Sequence, residues 1–150
     1  LRAHVRFRLG DNARRPLIAI GNGSGLAGLR ALLKARIDAG ERRNWLLFGE
    51  RNAEHDFLCR DELQTWQDGS KLERLDLAFS RDGGEARYVQ HLLLAQGEVL
   101  RRWVAEGAAI YVCGSLQGMA GGVHTALTEL LDNDTVERLI AEGRYRRDVY

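Results

Sequence analysis

Leu17-Ile18-Ala19-Ile20-Gly21-Asn22-Gly23-Ser24-Gly25-Leu26-Ala27-Gly28 passes from an apolar run through a glycine loop into a helical pattern. Pro16 to Gly21 reads as a strand. Leu26 to Ala39 reads as a helix, because Leu26, Leu29, Leu32, Leu33 and Ile37 recur at helical spacing, and Gly40 stops it. Glycine costs backbone entropy, so glycines at 21, 23, 25 and 28 serve something other than stability. Bare backbone N–H groups at a helix N-terminus attract phosphate through free donors and the helix dipole. Gly23-x-Gly25-x-x-Gly28 formally matches the dinucleotide fingerprint, and strand–loop–helix is the context that fingerprint requires. The alternative is a plain tight turn.

Outward from this loop, strand-like and helical runs alternate. Asn44 to Gly49 is a second strand whose apolarity is continuous, as expected when both faces are covered. Phe57 to Gln67 is a short helix. Leu72 to Ser80 is a third strand in which Leu75, Leu77 and Phe79 alternate. Tyr88 to Ala95 and Glu98 to Glu106 are helical, with a break near Gly97. Ala109 to Gly114 is a fourth strand. Met119 to Leu131 and Thr135 to Glu142 are helices, and Tyr145 to Tyr150 is a closing strand. This alternation implies an α/β, doubly wound, five-stranded, mostly parallel sheet with helices on both faces. Leu1 to Arg15 resists placement and reads as the tail of a preceding domain plus a linker. Residues 16–150 read as one nucleotide-binding domain. The chain starts without methionine, which suggests a piece of a longer protein.

The totals set bounds. A chain of 150 residues buries roughly two-thirds of its unfolded surface. Lys+Arg number 22 against 21 Asp+Glu, so no global attraction to nucleic acid or an acidic membrane is expected. Lysine occurs only at Lys34 and Lys71, so arginine dominates, and arginine grips phosphate bidentately. Cys59 and Cys113 fit no metal spacing and no disulfide framework, which makes a reducing, cytoplasmic or cytosol-facing location the default. No apolar run reaches about 18 residues, although membrane attachment of an adjoining part is compatible with that. His4, His55, His91 and His124 lack zinc spacing. Gly23-Ser24-Gly25 is no hydrolase elbow, and no Gly-Lys-Ser/Thr follows the loop. Cys59 reads as structural, and Trp45, Trp66 and Trp103 as packing residues.

Two further stretches carry chemistry. Ile110-Tyr111-Val112-Cys113-Gly114 is a strand ending in a thiol and a glycine. In open α/β sheets ligands sit beyond the carboxyl ends of strands, and a glycine there lets a flat ring approach. The bland alternative is a buried small hydrophobe. At the end of strand two, Glu50 occupies the place of the ribose-binding acid of NAD sites, while Arg51 beside it argues for a phosphate. Motif counting does not separate them.

Leu77-Ala78-Phe79-Ser80-Arg81-Asp82, Tyr88-Val89-Gln90-His91-Leu92, Tyr111-Val112-Cys113-Gly114 and Gly143-Arg144-Tyr145-Arg146-Arg147-Asp148-Val149-Tyr150, in that order, resemble the NADPH-binding domain of the diflavin reductases. These form part of the ferredoxin–NADP reductase superfamily, and the ending is most like that of sulfite reductase flavoproteins. The resemblance runs from Pro16 to Tyr150. It implies that Gly21, Gly23, Ser24 and Gly25 form the phosphate loop and that Ser80 and Arg81 bind the 2′-phosphate of NADPH. Tyr88, with Gln90 one residue beyond its neighbour, would stack or hydrogen-bond near the adenine ribose phosphate, and Arg51 would contact the cofactor's phosphate or adenine side. Gly114 and Met119 join the cofactor site. Cys113 would orient the nicotinamide near C4, Asp148 would stabilise its developing charge, and Tyr150 would cover the flavin.

The implied activity is hydride transfer from NADPH to FAD held mainly by a preceding domain of the same polypeptide. A one-electron acceptor (FMN, haem or iron–sulfur) would follow. Alternatives are a nucleotide-sensing module without catalysis and an NADH-dependent reductase using Glu50. This chain departs from the family pattern at Asn22 and Gly28, where prolines are usual, and at Ser24, where threonine is. Ala86 replaces a basic residue, Ser115 an aspartate, and Gln117-Gly118 with Gly121-Gly122 a basic segment. The lost prolines are expected to loosen the loop.

Overall fold

In the computed structural model, residues 8–50, 60–79, 88–115 and 119–149 are described, Ser24 by its backbone alone. Among the described residues are five strands: β1 (Leu17–Asn22), β2 (Asn44–Glu50), β3 (Arg74–Phe79), β4 (Ala109–Gly114) and β5 (Tyr145–Val149). Six α-helices join them: α1 (Leu26–Asp38), α2 (Arg60–Asp68), α3 (Val89–Ala95), α4 (Gly97–Ala105), α5 (Gly121–Leu131) and α6 (Asn133–Ala141). The strands lie in the order β3-β2-β1-β4-β5, and each neighbouring pair is parallel. The sheet expected to be mostly parallel is parallel at every pairing among the described residues.

Alternation along the strands divides the core in two. Leu17, Ala19, Leu46, Phe48, Tyr111 and Cys113 face α1 and α2. Ile18, Ile20, Trp45, Leu47, Ile110 and Val112 face the layer of α3 to α6. Strand β2 thus buries both of its rows, which explains its unbroken apolarity. Strand β3 is an edge strand, largely half-buried, and keeps the alternation. Trp45 and Trp103 meet with ring centroids 5.5 Å apart, and Trp66 is buried on the opposite face. No described helix is long and apolar enough to cross a membrane.

The order places a switch point between β1 and β4. From β1 the chain winds outward through β2 and β3, then returns to β4 and winds the other way through β5. Loops leave the carboxyl ends of these two adjacent strands in opposite directions, which opens a crevice between them.

At the other end of the sheet, residues 8–15 are pinned to the domain. Asn12 is buried, and its Nδ2 donates to Tyr111 Oη (3.0 Å) and to the Gly143 carbonyl (2.9 Å). Tyr111 Oη donates to the carbonyl of Arg8. Arg36, 1% exposed, donates to Asn44 Oδ1 (2.6 Å) and to the carbonyls of Ala13 and Arg43. Burial pushes its guanidinium pKa down, partly offset by Glu41. Three neutral acceptors depend on this one buried cation. Arg36→Leu is therefore expected to cost about 3 kcal/mol in urea unfolding through acceptors left unpaired. Ligand affinity at the carboxyl end of the sheet should stay unchanged.

Candidate functional site

The site grows from one close approach. Gly21 on β1 is in register with Cys113 on β4. A Cβ at Gly21 would collide with the Cys113 carbonyl oxygen and lie 2.7 Å from Leu29 Cδ1. A Cβ at Gly25 would collide with the same oxygen and stand 2.6 Å from its carbon and 2.9 Å from Gly114 Cα. Two glycines of the loop are thus required by packing of the start of α1 against the end of β4. Gly23 differs: its φ is +50°, and a Cβ there would meet open space. Gly28 is buried on α1.

A 3-10 turn over Gly23–Gly25 leads directly into α1. The cap of α1 is Gly25, and its first turn carries no acidic residue. A glycine cap offers no side-chain acceptor to the free N–H groups of the first turn. Donors, dipole and an open Gly23 face the mouth of the crevice, an arrangement suited to an anion.

The β4 wall is equally constrained. Gly114 has φ +143°, and a Cβ there would collide with Asn22 Oδ1 and stand 2.9 Å from Met119 Cε. The backbone N–H of Ser115 donates to Asn22 Oδ1 at 3.1 Å. Asn22, expected to loosen the loop, instead ties β1 to the turn after β4. Met119 is 1% exposed and supports Gly114 from inside the core.

Cys113 is 4% exposed and is in register with Asp148 on β5. Burial, and secondarily the negative charge of Asp148, push the thiol pKa up to about 11. The group is therefore a neutral thiol at physiological pH: a small, polarisable wall beneath the crevice rather than a nucleophile.

Helix α3 closes a third side. Tyr88 precedes it, 49% exposed, with its backbone N–H donating to His91 Nδ1 at 3.2 Å and its ring 5.6 Å from the imidazole. Gln90 reaches across to α5, where a Cβ at Gly122 would lie 2.9 Å from Gln90 Nε2. Gly122 thus makes room for Gln90, whose Oε1 is buried without a hydrogen-bond partner among the described residues.

The structure therefore brings Gly21, Gly23, Gly25, Cys113 and Gly114 to the ends of β1 and β4, with Asp148 alongside on β5. Tyr88, Gln90 and Met119 lie at or before the starts of α3 and α5. Arg51, Ser80, Arg81 and Tyr150, and the Ser24 side chain, lie outside the described residues, as does Cys59. Sequence reasoning missed the Asn22–Ser115 bond, because it joins residues 93 positions apart.

Comparison with known proteins gives the family. The family model for the oxidoreductase NAD-binding domain matches residues 19–125. The chain belongs to that family. Its NAD-binding domain is similar to part of the sulfite reductase [NADPH] flavoprotein alpha-component of several bacteria. Identity is 42% for the protein of Vibrio cholerae serotype O1, covering 96% of this chain and 25% of the relative. It is 42% for that of Salmonella typhi, covering 96% and 26%, and 37% for that of Bacillus subtilis, covering 96% and 26%. The chain spans about a quarter of the length of these relatives. It is an oxidoreductase domain with the NAD-binding fold, similar to a segment of flavoprotein subunits.

Two outcomes test the site geometry. Gly25→Ala should lower unfolding free energy by about 1–3 kcal/mol through the clash with the Cys113 backbone, read by chemical denaturation. In a Cys59→Ser background, alkylation of Cys113 should reach half its maximal rate near pH 11 rather than near 9. The sign follows from a raised folded-state pKa. Stabilisation from the buried neutral thiol is complete below about pH 9 and is lost as pH rises through about 11.

Proposed function

We propose that this domain binds NADPH across the β1–β4 crevice and presents it to FAD carried by another domain of the same polypeptide. The observation that carries the proposal is the register of Gly21 with Cys113. It sets an anion-suited helix start beside a thiol and glycine at the topological switch point. Bound there, NADPH would supply a hydride from nicotinamide C4 to flavin N5.

The chain's own groups do the positioning. Backbone N–H groups at the start of α1 hold the pyrophosphate, with Gly23 giving it access and Ser24 a hydroxyl. Ser80 and Arg81, next in sequence after β3, would hold the 2′-phosphate, and Arg51 and Tyr88 would contact the phosphate or adenine side of the cofactor. Gln90 Oε1 is a buried acceptor awaiting a donor and fits a ribose hydroxyl or amide. Gly114 allows the nicotinamide ring close to Cys113, whose neutral thiol orients it without competing for the carbon. Asp148, in register with Cys113, would place negative charge beside the nicotinamide. Tyr150, next in sequence after β5, would cover the flavin.

NADPH and a flavin are named in the relatives themselves, as sulfite reductase [NADPH] flavoprotein. Their greater length leaves room for an FAD-binding domain and a one-electron acceptor domain. Residues 1–15 are read as the tail and linker of the former, and the Asn12 clamp suits a fixed entry of that linker.

Arg81→Ala should weaken NADPH by about 10- to 100-fold, the worth of a charge-assisted bond, and leave NADH almost unchanged, measured by titration calorimetry. Unchanged NADPH affinity would reject the 2′-phosphate assignment. With the FAD domain attached, Cys113→Ala should slow flavin reduction with little change in NADPH affinity. An unchanged rate would favour a nucleotide sensor instead.

A further inference from the structure

Asn22 stands at the crevice mouth and uses one of the four hydrogen bonds its side chain can make. It continues the row Ile18–Ile20 on the face of β1 that looks toward α3 and α5. One amide atom lies 3.1 Å from the backbone N–H of Ser115. A backbone N–H only donates, so that atom must be the oxygen. The amide cannot flip without losing the bond, and Nδ2 is thereby held on the opposite side. Nδ2 has no hydrogen-bond partner among the described residues, and the side chain is half-buried, so ligand can reach it.

Its strand neighbours on both sides are glycines, Gly114 leaving room for Oδ1 and Gly49 packing at ordinary contact distance beside Val89. In register beside it on β2 is Gly49, where a Cβ would approach Asn22 Cβ to 3.8 Å. On the β4 side is Gly114, where a Cβ would strike Oδ1. An oriented amide donor with no partner among the described residues is more than a latch needs, since the acceptor alone holds Ser115.

We infer that Asn22 is a ligand-reading residue for the nicotinamide half of the bound dinucleotide, its Nδ2 donating to a phosphate or amide oxygen there. The inference rests on the pyridine-nucleotide reading of the crevice. The half is chosen by position. Asn22 is bonded to the residue two after Cys113, on the β4 side. In the proposed reading the 2′-phosphate belongs to residues that follow β3 in sequence, and β3 is two strands, about 10 Å, from β1. Asn22 thus replaces the stiffness of a family proline with a hydrogen bond across the crevice and adds a donor that proline lacks.

Two ligands and two variants test this by titration calorimetry. NADPH carries the nicotinamide half, and 2′,5′-ADP lacks it. Asn22→Asp keeps an acceptor for Ser115 and removes the donor. It should leave the melting temperature and 2′,5′-ADP affinity near wild type while weakening NADPH about tenfold or more. Asn22→Ala adds no charge and removes both functions. It should lower the melting temperature and also weaken NADPH at least about tenfold more than 2′,5′-ADP. Wild-type NADPH affinity in Asn22→Asp would overturn the inference and leave Asn22 a latch. An equal loss for both ligands would overturn it in favour of general disruption of the loop. A wild-type chain that bound neither ligand would overturn the nucleotide reading and this inference with it. The wild-type titration therefore distinguishes the two failures.

Discussion

The contact between the Cys113 carbonyl and the glycine loop of β1 is the constraint on which the rest of the site depends. Parallel strands lie about 4.8 Å apart, which leaves no room for a side chain where a helix start crosses from β1 over the end of β4. Gly21 and Gly25 meet that demand. Because they do, the first turn of α1 is seated directly above the strand that ends in Cys113-Gly114. The anion-suited helix start and the thiol become two walls of one crevice. With larger residues at 21 and 25 the helix would lift away and the walls would separate. Asn22 and Ser115 close the same seam by a hydrogen bond one residue further out.

The chemistry follows from burial. Cys113 sits in the cluster facing α1 with a carboxylate-bearing residue in register beside it. Both features hold its proton on. Such a thiol is a poor nucleophile and a good neutral surface for a flat ring. The charge of Asp148 disfavours a thiolate, and in the proposed reading it would also favour a positive ring. The site therefore fits cofactor positioning better than covalent catalysis.

Much of this was legible in the sequence. Leu17 to Gly21, Trp45 to Phe48 and Ile110 to Cys113 are short apolar runs bounded by glycine or charge, and each is a strand. The glycine loop in strand–loop–helix context gave the position of the crevice, and the Tyr111-Val112-Cys113-Gly114 and Ser80-Arg81 motifs gave the family. Less legible were features made by long-range polar contacts. Asn12 looked like part of a linker, because a buried asparagine satisfied by Tyr111 and Gly143 carries no periodic signal. Asn22 looked like the loss of a rigid proline, because its bond to Ser115 exists only once β1 and β4 are paired. Gly122 looked like part of a lost basic segment, yet it admits the side chain of Gln90. Tyr88 was read as the first helical residue and is the cap before Val89, a shift of one residue at an end where boundaries are soft.

The central claim is that a pyridine nucleotide lies across the carboxyl ends of β1 and β4. The most direct measurement is a residue-resolved amide NMR titration of this chain with NADPH. The account predicts the largest shift changes at the backbone amides of Gly23 to Leu26 and Gly114 to Ser115, with Asn12, Arg36 and Asn44 at the opposite end of the sheet unmoved. Changes concentrated at that opposite end, or none at saturating NADPH, would contradict it.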